Sequence, residues 1–467
     1  MNKNLLRLRY IFFDAIAGSV VWVLFLVFRR VVNDAKIFEG IQIFTPNFNY
    51  YSSLAIFPIL CVAIHFLSGY YVNPIKQSKL TEFFTTLIAS AIVSFIIFFV
   101  LLLDDVVIDY TFYYKSLLVL FLLLFFVTIV VRIIQSSSIR NDFKKGKWTI
   151  NTLIIGTGSN AIKIAEDIRK NSYFNRVVGF IKADTSEKDV DKNDVVGTLF
   201  NIEKIITDLD VKEAIIALDD ANEQRIFEIV NKLFQSNIDI QFTPRLFEIL
   251  TGRVKIDKFG LNPLVSITNP TMADWQICVK RTIDIAFSLL ALTLLSPLIV
   301  YLFFAIKFDS KGPVFFKQER IGKHGKSFYM YKFRTMLPNA ENGLPKLSSP
   351  DDDRITKVGR FLRKYRLDEI PQFANIIKGE MSLVGPRPER KYYIDQIIQQ
   401  APYYCLLYRI QPGLTSWGPI KIGYSDTIEK MVERLNLDII YMESMSLSTD
   451  LKILLSTLEI LLKGKGV

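Results

Sequence analysis

Four long apolar blocks fall in the first third of this 467-residue chain, at about Ile11–Phe28, Leu54–Tyr71, Phe83–Leu103 and Ser116–Val131. A helix that crosses a bilayer needs about 20 mostly apolar residues. Core helices of a soluble domain would not follow one another so closely. The first block reads as a retained span, not a cleaved signal: it is long, Asp14 interrupts it, and no small-residue cleavage site follows. Loop charges set the orientation. Lys3, Arg7 and Arg9 precede the first block, Lys76 and Lys79 fill the second connection, and Asp104, Asp105 and Asp109 mark the third. Arg132, Arg140, Lys144, Lys145 and Lys147 follow the fourth. The pattern predicts both ends of the bundle inside, with Arg29 and Arg30 running against it, and the rest of the chain in the cytoplasm.

Half the residues are hydrophobic and 22% are charged, which excludes disordered and collagen-like classes. Three distant cysteines, Cys61, Cys278 and Cys405, imply no disulfide framework. Two histidines, His65 and His324, cannot build a His-rich metal site. Any metal is therefore a hard cation such as Mg²⁺, held by carboxylates and phosphate.

From Thr152 the chain reads Thr-Leu-Ile-Ile-Gly156-Thr-Gly158-Ser-Asn-Ala161, a strand, a tight turn and a helix start with the G-x-G-x-x-A spacing. Further strands are expected at Val177–Ile181, Ala214–Leu218 and Ile238–Phe242, giving an αβ alternation over a parallel sheet. Gly156 and Gly158 would let backbone approach a pyrophosphate at a helix N-terminus. Asp184 is the nearest acid for a ribose. A scaffold without a cofactor explains the same glycines, and both readings stay open. A nucleotide-sugar epimerase is disfavoured, because Tyr173 is the only tyrosine between Gly156 and Leu250 and no lysine follows it at the fourth position.

The run Ile283–Ile306 is long enough to span, yet Ser296-Pro297 lies near its middle. Pro297 removes a backbone donor and clashes with the Thr293 carbonyl, so a kink is expected. Lys280 and Arg281 precede the run and Lys307 and Lys311 follow it. Basic flanks on both sides favour a bent helix that returns to the same membrane face over a fifth span.

Between Lys317 and Arg366 stand thirteen Lys+Arg and five Asp+Glu, a local excess of +8 against +11 for the whole chain. Such a cluster suits anionic headgroups, lipid phosphates or nucleotides. No nucleic-acid-binding signature accompanies it, so no nucleic-acid partner is expected. Adjacent carboxylates at Asp368-Glu369, beside Arg363, Lys364 and Arg366, are expected to stay ionised. An ionised carboxylate can attack phosphorus. In Gly385-Pro-Arg387-Pro388 two prolines stiffen the backbone around a guanidinium, which suits either a phosphate contact or a structural ion pair. His324, flanked by Gly322 and Gly325, reads as a hairpin-turn residue. Leu451, Leu454, Leu455 and Leu458 form one face of a last helix ending near Lys463 and Lys465, and core packing is expected for it.

The ordered motifs are Lys280–Asp284, Gly312–Gly322, Tyr331-Lys-Phe-Arg-Thr-Met336, Arg354–Arg360, Leu367-Asp-Glu-Ile-Pro-Gln-Phe-Ala-Asn375 and Gly379–Glu389. This series resembles the bacterial sugar transferases, the polyprenyl-phosphate hexose-1-phosphate transferases, in their large form with four N-terminal spans. The resemblance implies a membrane α-helical bundle over 1–140 and an α/β Rossmann-like domain over 148–248. A linker over 249–279 would lead to a mainly α, α+β catalytic domain over 280–467, with a re-entrant membrane helix at 281–307 kinked at Ser296 and Pro297. It implies transfer of a sugar-1-phosphate from a UDP-sugar to undecaprenyl phosphate in the bacterial inner membrane, with release of UMP. This step starts exopolysaccharide, capsule or O-antigen synthesis. Asp368 would be the nucleophile, forming a phospho-Asp intermediate. Glu369 would support it, and both would hold Mg²⁺. Lys332, Arg334, Arg366, Arg387 and Arg409 would contact phosphate or nucleotide. Ser416, in Thr415-Ser-Trp-Gly418, departs from the usual Thr-Gly-Trp and bears on substrate choice. The other reading is a membrane-anchored nucleotide or nucleotide-sugar sensor with a non-catalytic transferase-like domain. The sugar, the pathway and whether a homo-oligomer forms are not legible.

Overall fold

The structure, a computed structural model, describes residues 3–37, 48–72, 78–104, 110–172, 174–183, 190–191, 194–219, 223–236, 238–243, 264–267, 271–337, 352–423 and 427–462. Lys76, Asp105, Asp109, Tyr173, Asp184, most of the expected linker, Lys463 and Lys465 lie outside the described residues, as do the side chains of Arg30 and Asp104. The chain forms two compact units, Met1–Trp148 with Ala273–Val279, and Thr149–Met272 with Lys280–Val467.

The first unit holds four helices, α1 (Lys3–Ile37), α2 (Phe48–Leu67), α3 (Lys79–Asp104) and α4 (Tyr110–Lys144). Three of them, counted over Asn4–Arg29, Lys79–Val100 and Tyr113–Lys144, are long and apolar enough to cross a membrane. The expected second span corresponds to α2, 20 residues long, with Pro58 inside it and an apolar stretch over Ser52–Leu67. Ser68 and Gly69 turn the chain, so Tyr70 and Tyr71 leave the helix. Apolar packing centres on Val21, Trp22, Phe25, Phe57, Val93 and Leu120. A buried polar clasp joins the helices: Arg132 of α4 pairs with Asp14 of α1 at 2.7 Å and donates to Thr86 of α3 at 2.7 Å. Tyr71 donates to Asp14 at 2.7 Å. An isolated charge could not be buried there, but this pair is hydrogen-bonded on both sides.

The second unit begins with β1 (Ile150–Ile155), α5 (Ser159–Asn171), β2 (Asn175–Lys182), β3 (Val195–Thr198), α6 (Ile202–Asp208), β4 (Glu213–Ile216), α7 (Glu223–Phe234), β5 (Asp239–Phe242) and β6 (Val265–Ser266). The sheet order is β3-β2-β1-β4-β5-β6. The first five strands run parallel and β6 pairs antiparallel with β5. Strand period 2 sorts the core. Leu153 and Ile155 face the layer of α6 and α7, and Ile154 faces α5. The α7 layer also takes in Cys405, fully buried, from a 3₁₀ segment at Pro402–Arg409. Phe234 meets Tyr408 edge-on at 6.1 Å, and Asn231 donates to the Pro402 carbonyl at 3.2 Å.

Next come α8 (Asp274–Leu294) and α9 (Ser296–Asp309), bent by 62°. Pro297 has no N–H to offer the Thr293 carbonyl, and the Ser296 hydroxyl donates to that carbonyl at 2.8 Å instead. The break thus falls where Ser-Pro stands, with its orphaned acceptor satisfied. Leu290, Leu294, Tyr301 and Phe304 are exposed along the two arms.

The remainder is β7 (Phe315–Ile321), β8 (Ser327–Phe333), α10 (Lys357–Lys364), α11 (Gln372–Lys378), β9 (Ser382–Val384), α12 (Lys391–Gln400), β10 (Gly413–Thr415), α13 (Trp417–Lys421), α14 (Ile428–Glu443) and α15 (Leu447–Leu462). Their core gathers Met330, Phe333, Leu362, Ile370, Ile376, Leu383, Tyr441 and Ile453. The expectation for the last helix holds in part: Leu454 packs against that core, but Leu451, Leu455 and Leu458 are exposed, and Asp450 and Ile453 are buried instead. Asp450 turns inward because Lys280 at 2.5 Å and the Tyr441 hydroxyl at 2.6 Å hold it.

Candidate active site

β7 and β8 form an antiparallel hairpin whose tip is a 3₁₀ turn at Lys323–Gly325. His324 occupies that turn with φ 59°, as its glycine neighbours imply, and takes no part in the cluster described below. At the far end β8 delivers Lys332. After α10, capped by Thr356 accepting from Gly359 N–H at 3.0 Å, the chain reverses at Arg366. Arg366 adopts φ 54°, a left-handed conformation uncommon for a residue with a side chain. The reversal sets a 3₁₀ turn, Leu367–Glu369, in which Leu367 and Ile370 pack into the core and Asp368 and Glu369 are buried beside Lys332.

Cations converge on this turn. Lys332 Nζ lies 3.3 Å from Glu369 Oε1 and 4.0 Å from Asp368 Oδ2. Arg387 Nη2 lies 3.4 Å from the same Glu369 Oε1, and Arg366 Nη1 3.9 Å from Oε2. Arg387 arrives on the segment after β9, which pairs in parallel with β10. Gly385 and Gly413 make that approach feasible: a Cβ on Gly413 would sit 2.1 Å from the Gly385 nitrogen.

The two acids differ. Burial would raise Glu369, but Lys332, Arg387 and Arg366 outweigh it and hold the carboxyl down at about 2. Burial raises Asp368 above the ordinary aspartate range, against the pull of Lys332 and with the help of the Glu369 charge. Burial likewise lowers Lys332, opposed by both acids. Of the three cations expected to keep both acids ionised, Arg363 lowers Asp368 and Arg366 lowers Glu369, each behind Lys332. Arg363 Nε donates to Thr335 at 3.0 Å, Lys364 lies over the Tyr365 ring at 5.6 Å, and Arg366 is within ion-pair distance of Glu369.

Two of the five expected anion contacts lie elsewhere. Arg334 is engaged by the carbonyls of Ser310 at 2.6 Å and Lys311 at 3.2 Å, past the end of α9. Those helix-end acceptors lack intrahelical partners, and a guanidinium fork suits them. Arg409 pairs with Glu443 of α14 at 3.0 Å. Gly156 and Gly158 also lie away from the dyad, at the end of β1 beside Asp219.

Behind Arg387 stands a layer that sequence reading missed. Glu389 pairs with Arg320 at 3.0 Å and, more tightly, with Arg434. Asp438, fully buried, accepts the backbone N–H of Arg387, and burial pushes its carboxyl up to about 6. Arg434 and Asp438 are four residues apart on the buried face of α14. Two opposite charges at that spacing on an otherwise apolar face were the available signal.

Known proteins match along the same stretches. A family model described as bacterial sugar transferase matches 275–464, and one described as a CoA-binding domain matches 67–244. The UDP-N-acetylgalactosamine-undecaprenyl-phosphate N-acetylgalactosaminephosphotransferase of Aeromonas hydrophila is 37% identical over 50% of this chain and 54% of its own. The UDP-glucose:undecaprenyl-phosphate glucose-1-phosphate transferase of Escherichia coli is 32% identical over 55% of this chain and 56% of its own. A protein of Haemophilus influenzae described as an uncharacterized sugar transferase is 30% identical over 69% of this chain and 71% of its own. The chain spans about half the length of the first two relatives. With the motifs in order from Lys280 onward and most of the third relative covered, this chain belongs to the bacterial sugar transferase family.

Proposed function

We propose that the protein transfers a sugar-1-phosphate from a UDP-sugar to undecaprenyl phosphate and releases UMP, with Asp368 as the nucleophile. The observation that carries this reading is the convergence of Lys332, Arg366 and Arg387 on the buried Asp368-Glu369 pair. Phosphoryl transfer asks mainly for positioning and for cations beside the developing charge. In the first step an Asp368 oxygen bonds to the sugar-bearing phosphorus. The bond from that phosphorus to the bridging oxygen breaks, and UMP leaves with the electron pair. In the second step an oxygen of undecaprenyl phosphate attacks the same phosphorus. The Asp368 carboxylate departs, giving a polyprenyl diphosphate sugar. Glu369, ionised throughout, orders the three cations around the reacting group. Arg387 and Lys332 are placed to hold phosphate oxygens.

Among the described residues no group of three or more His, Cys, Asp or Glu gathers to hold a metal. Two adjacent carboxylates completed by diphosphate oxygens are still a donor set that suits Mg²⁺. Asp368 and Glu369 would hold it, and it would supply further positive charge to the diphosphate. The apolar arms of the bent α8–α9 pair support a re-entrant membrane segment, with the dyad facing the cytoplasm of a bacterial inner membrane, where UDP-sugars are found.

The test is UMP release by purified protein with undecaprenyl phosphate, Mg²⁺ and a panel of UDP-sugars. Lipid-dependent release, lost by at least about 10³-fold in Asp368→Asn, is expected. Near-normal turnover by that variant would overturn the nucleophile. Silence with every donor would favour the sensor reading.

A further inference from the structure

In open parallel α/β sheets, ligands sit at the crevice where strand order reverses. Here that crevice lies between β1 and β4. The parts of a diphosphate cradle are present: Gly156 at φ +123°, then Gly158 leading into the 13-residue helix α5. A diphosphate bound there would take the first backbone N–H groups of α5. Those groups already have an acceptor. Ser159 N–H donates to Asp219 Oδ2 at 2.9 Å and Asn160 N–H to Oδ1 at 3.0 Å. The Ser159 hydroxyl lies 3.5 Å from Oδ2. A methyl group on Gly158 would fall 2.0 Å from Oδ2, so the space that the glycine opens is filled by this carboxylate.

We propose that Asp219 is the resident anion of this helix terminus, and that the middle domain takes no coenzyme A, dinucleotide or other diphosphate there. A carboxylate accepting two N–H groups at a positive helix end is a strong, charge-assisted arrangement. Because Asp219 lies just beyond the end of β4, after Ala217 and Leu218 on the same chain, it competes at the effective concentration of a tethered group. An incoming diphosphate would have to displace it and would meet its charge at close range. The CoA-binding domain match at 67–244 then describes the scaffold, not a ligand. The fold is used instead for docking, since α7 shares its core with the Pro402–Arg409 segment through Cys405.

Hydrogen exchange of full-length protein, followed in the peptide covering 152–165, tests this without counting ligands bound near Asp368. The probes are coenzyme A, NAD, ADP and inorganic pyrophosphate at ~1 mM. Wild-type exchange in this peptide is expected to be unchanged by every probe. In Asp219→Ala the Ser159 and Asn160 amides should exchange at least about tenfold faster, and pyrophosphate or ADP should slow them again. Asp219→Asn, which keeps the shape and removes the charge, should lie between and serves if the alanine variant does not fold. Protection of the wild-type peptide by any probe would overturn the proposal. So would exchange in both variants that neither rises nor responds to ligand.

Discussion

Lys332 and Glu369 form the shortest ion pair at the buried dyad, 3.3 Å from Nζ to Oε1. Lys332 therefore serves Glu369 first and Asp368, at 4.0 Å, second. The result is a division between neighbouring acids. Glu369 is held charged, and Asp368 is left with a raised pKa beside it.

Removing Lys332 should expose that division. Lys332→Met deletes the group that most lowers Asp368 and leaves the Glu369 charge to raise it further. A nucleophile must be ionised to attack. The acidic limb of the kcat/KM profile should therefore move to higher pH, and activity at neutral pH should drop by about 10²-fold. Lys332→Arg, which keeps the charge, should recover part of both. A profile unmoved by the methionine variant would show that Lys332 does not tune Asp368.

The chemistry was more legible than the support. Asp368-Glu369, Lys332 and Arg387 lie in short motifs whose residue types carry the chemistry, although Lys332 and Glu369 meet across 37 residues of chain. The Ser-Pro break is local, because Pro297 and its lost partner Thr293 are one turn apart. Partners far along the chain were invisible. Asp219 stands 60 residues after Ser159, and Asp14 stands 118 before Arg132. Nothing in either neighbourhood marks such a pair before the fold exists. Arg334 misled for a related reason. It shares a basic motif with Lys332, but it follows the end of β8 and meets helix-end carbonyls instead.

The Arg132–Asp14 pair makes a strong demand on the helix bundle. Both side chains are fully buried. Losing one partner leaves an uncompensated charge, which costs about 3–5 kcal/mol in buried pairs. Asp14→Asn and Arg132→Met should each lower the detergent melting temperature of the protein markedly. The double variant should be less damaged than the sum of the two, because it buries no lone charge. Additive losses would mean that the two residues act independently.

The bend between α8 and α9 rests on two residues with different tasks. Pro297 breaks the ladder, and Ser296 satisfies the Thr293 carbonyl that the break orphans. Ser296→Ala should loosen the turn and keep the bend. Pro297→Ala restores the missing donor and should favour a continuous helix long enough to span. A cysteine at position 311 should be labelled from the cytoplasmic side in the wild-type background. In the Pro297→Ala background a fraction should become reachable from outside. Outside labelling in the wild-type background would mean a fifth span there as well.

Asp438 offers a pH signature of the layer behind Arg387. Its carboxyl is raised from the ordinary 3.8 to about 6, chiefly by burial, with Glu389 adding to the rise and Arg434 opposing it. A group raised in the folded state adds stability that is fully present below its unfolded value and is lost as pH climbs through its folded value. Between pH 3.8 and about 6 that loss is about 3 kcal/mol. Asp438→Asn keeps an acceptor for the Arg387 N–H and never ionises. The melting temperature of this variant minus that of the wild type should therefore rise steadily across that interval and level off above it. The comparison cancels the other acids. Glu369 and Glu389, held low, lose their contribution as pH falls, but they do so in both proteins. A flat difference across the interval would mean that Asp438 is already charged in the folded protein at low pH, with Arg434 compensating its burial.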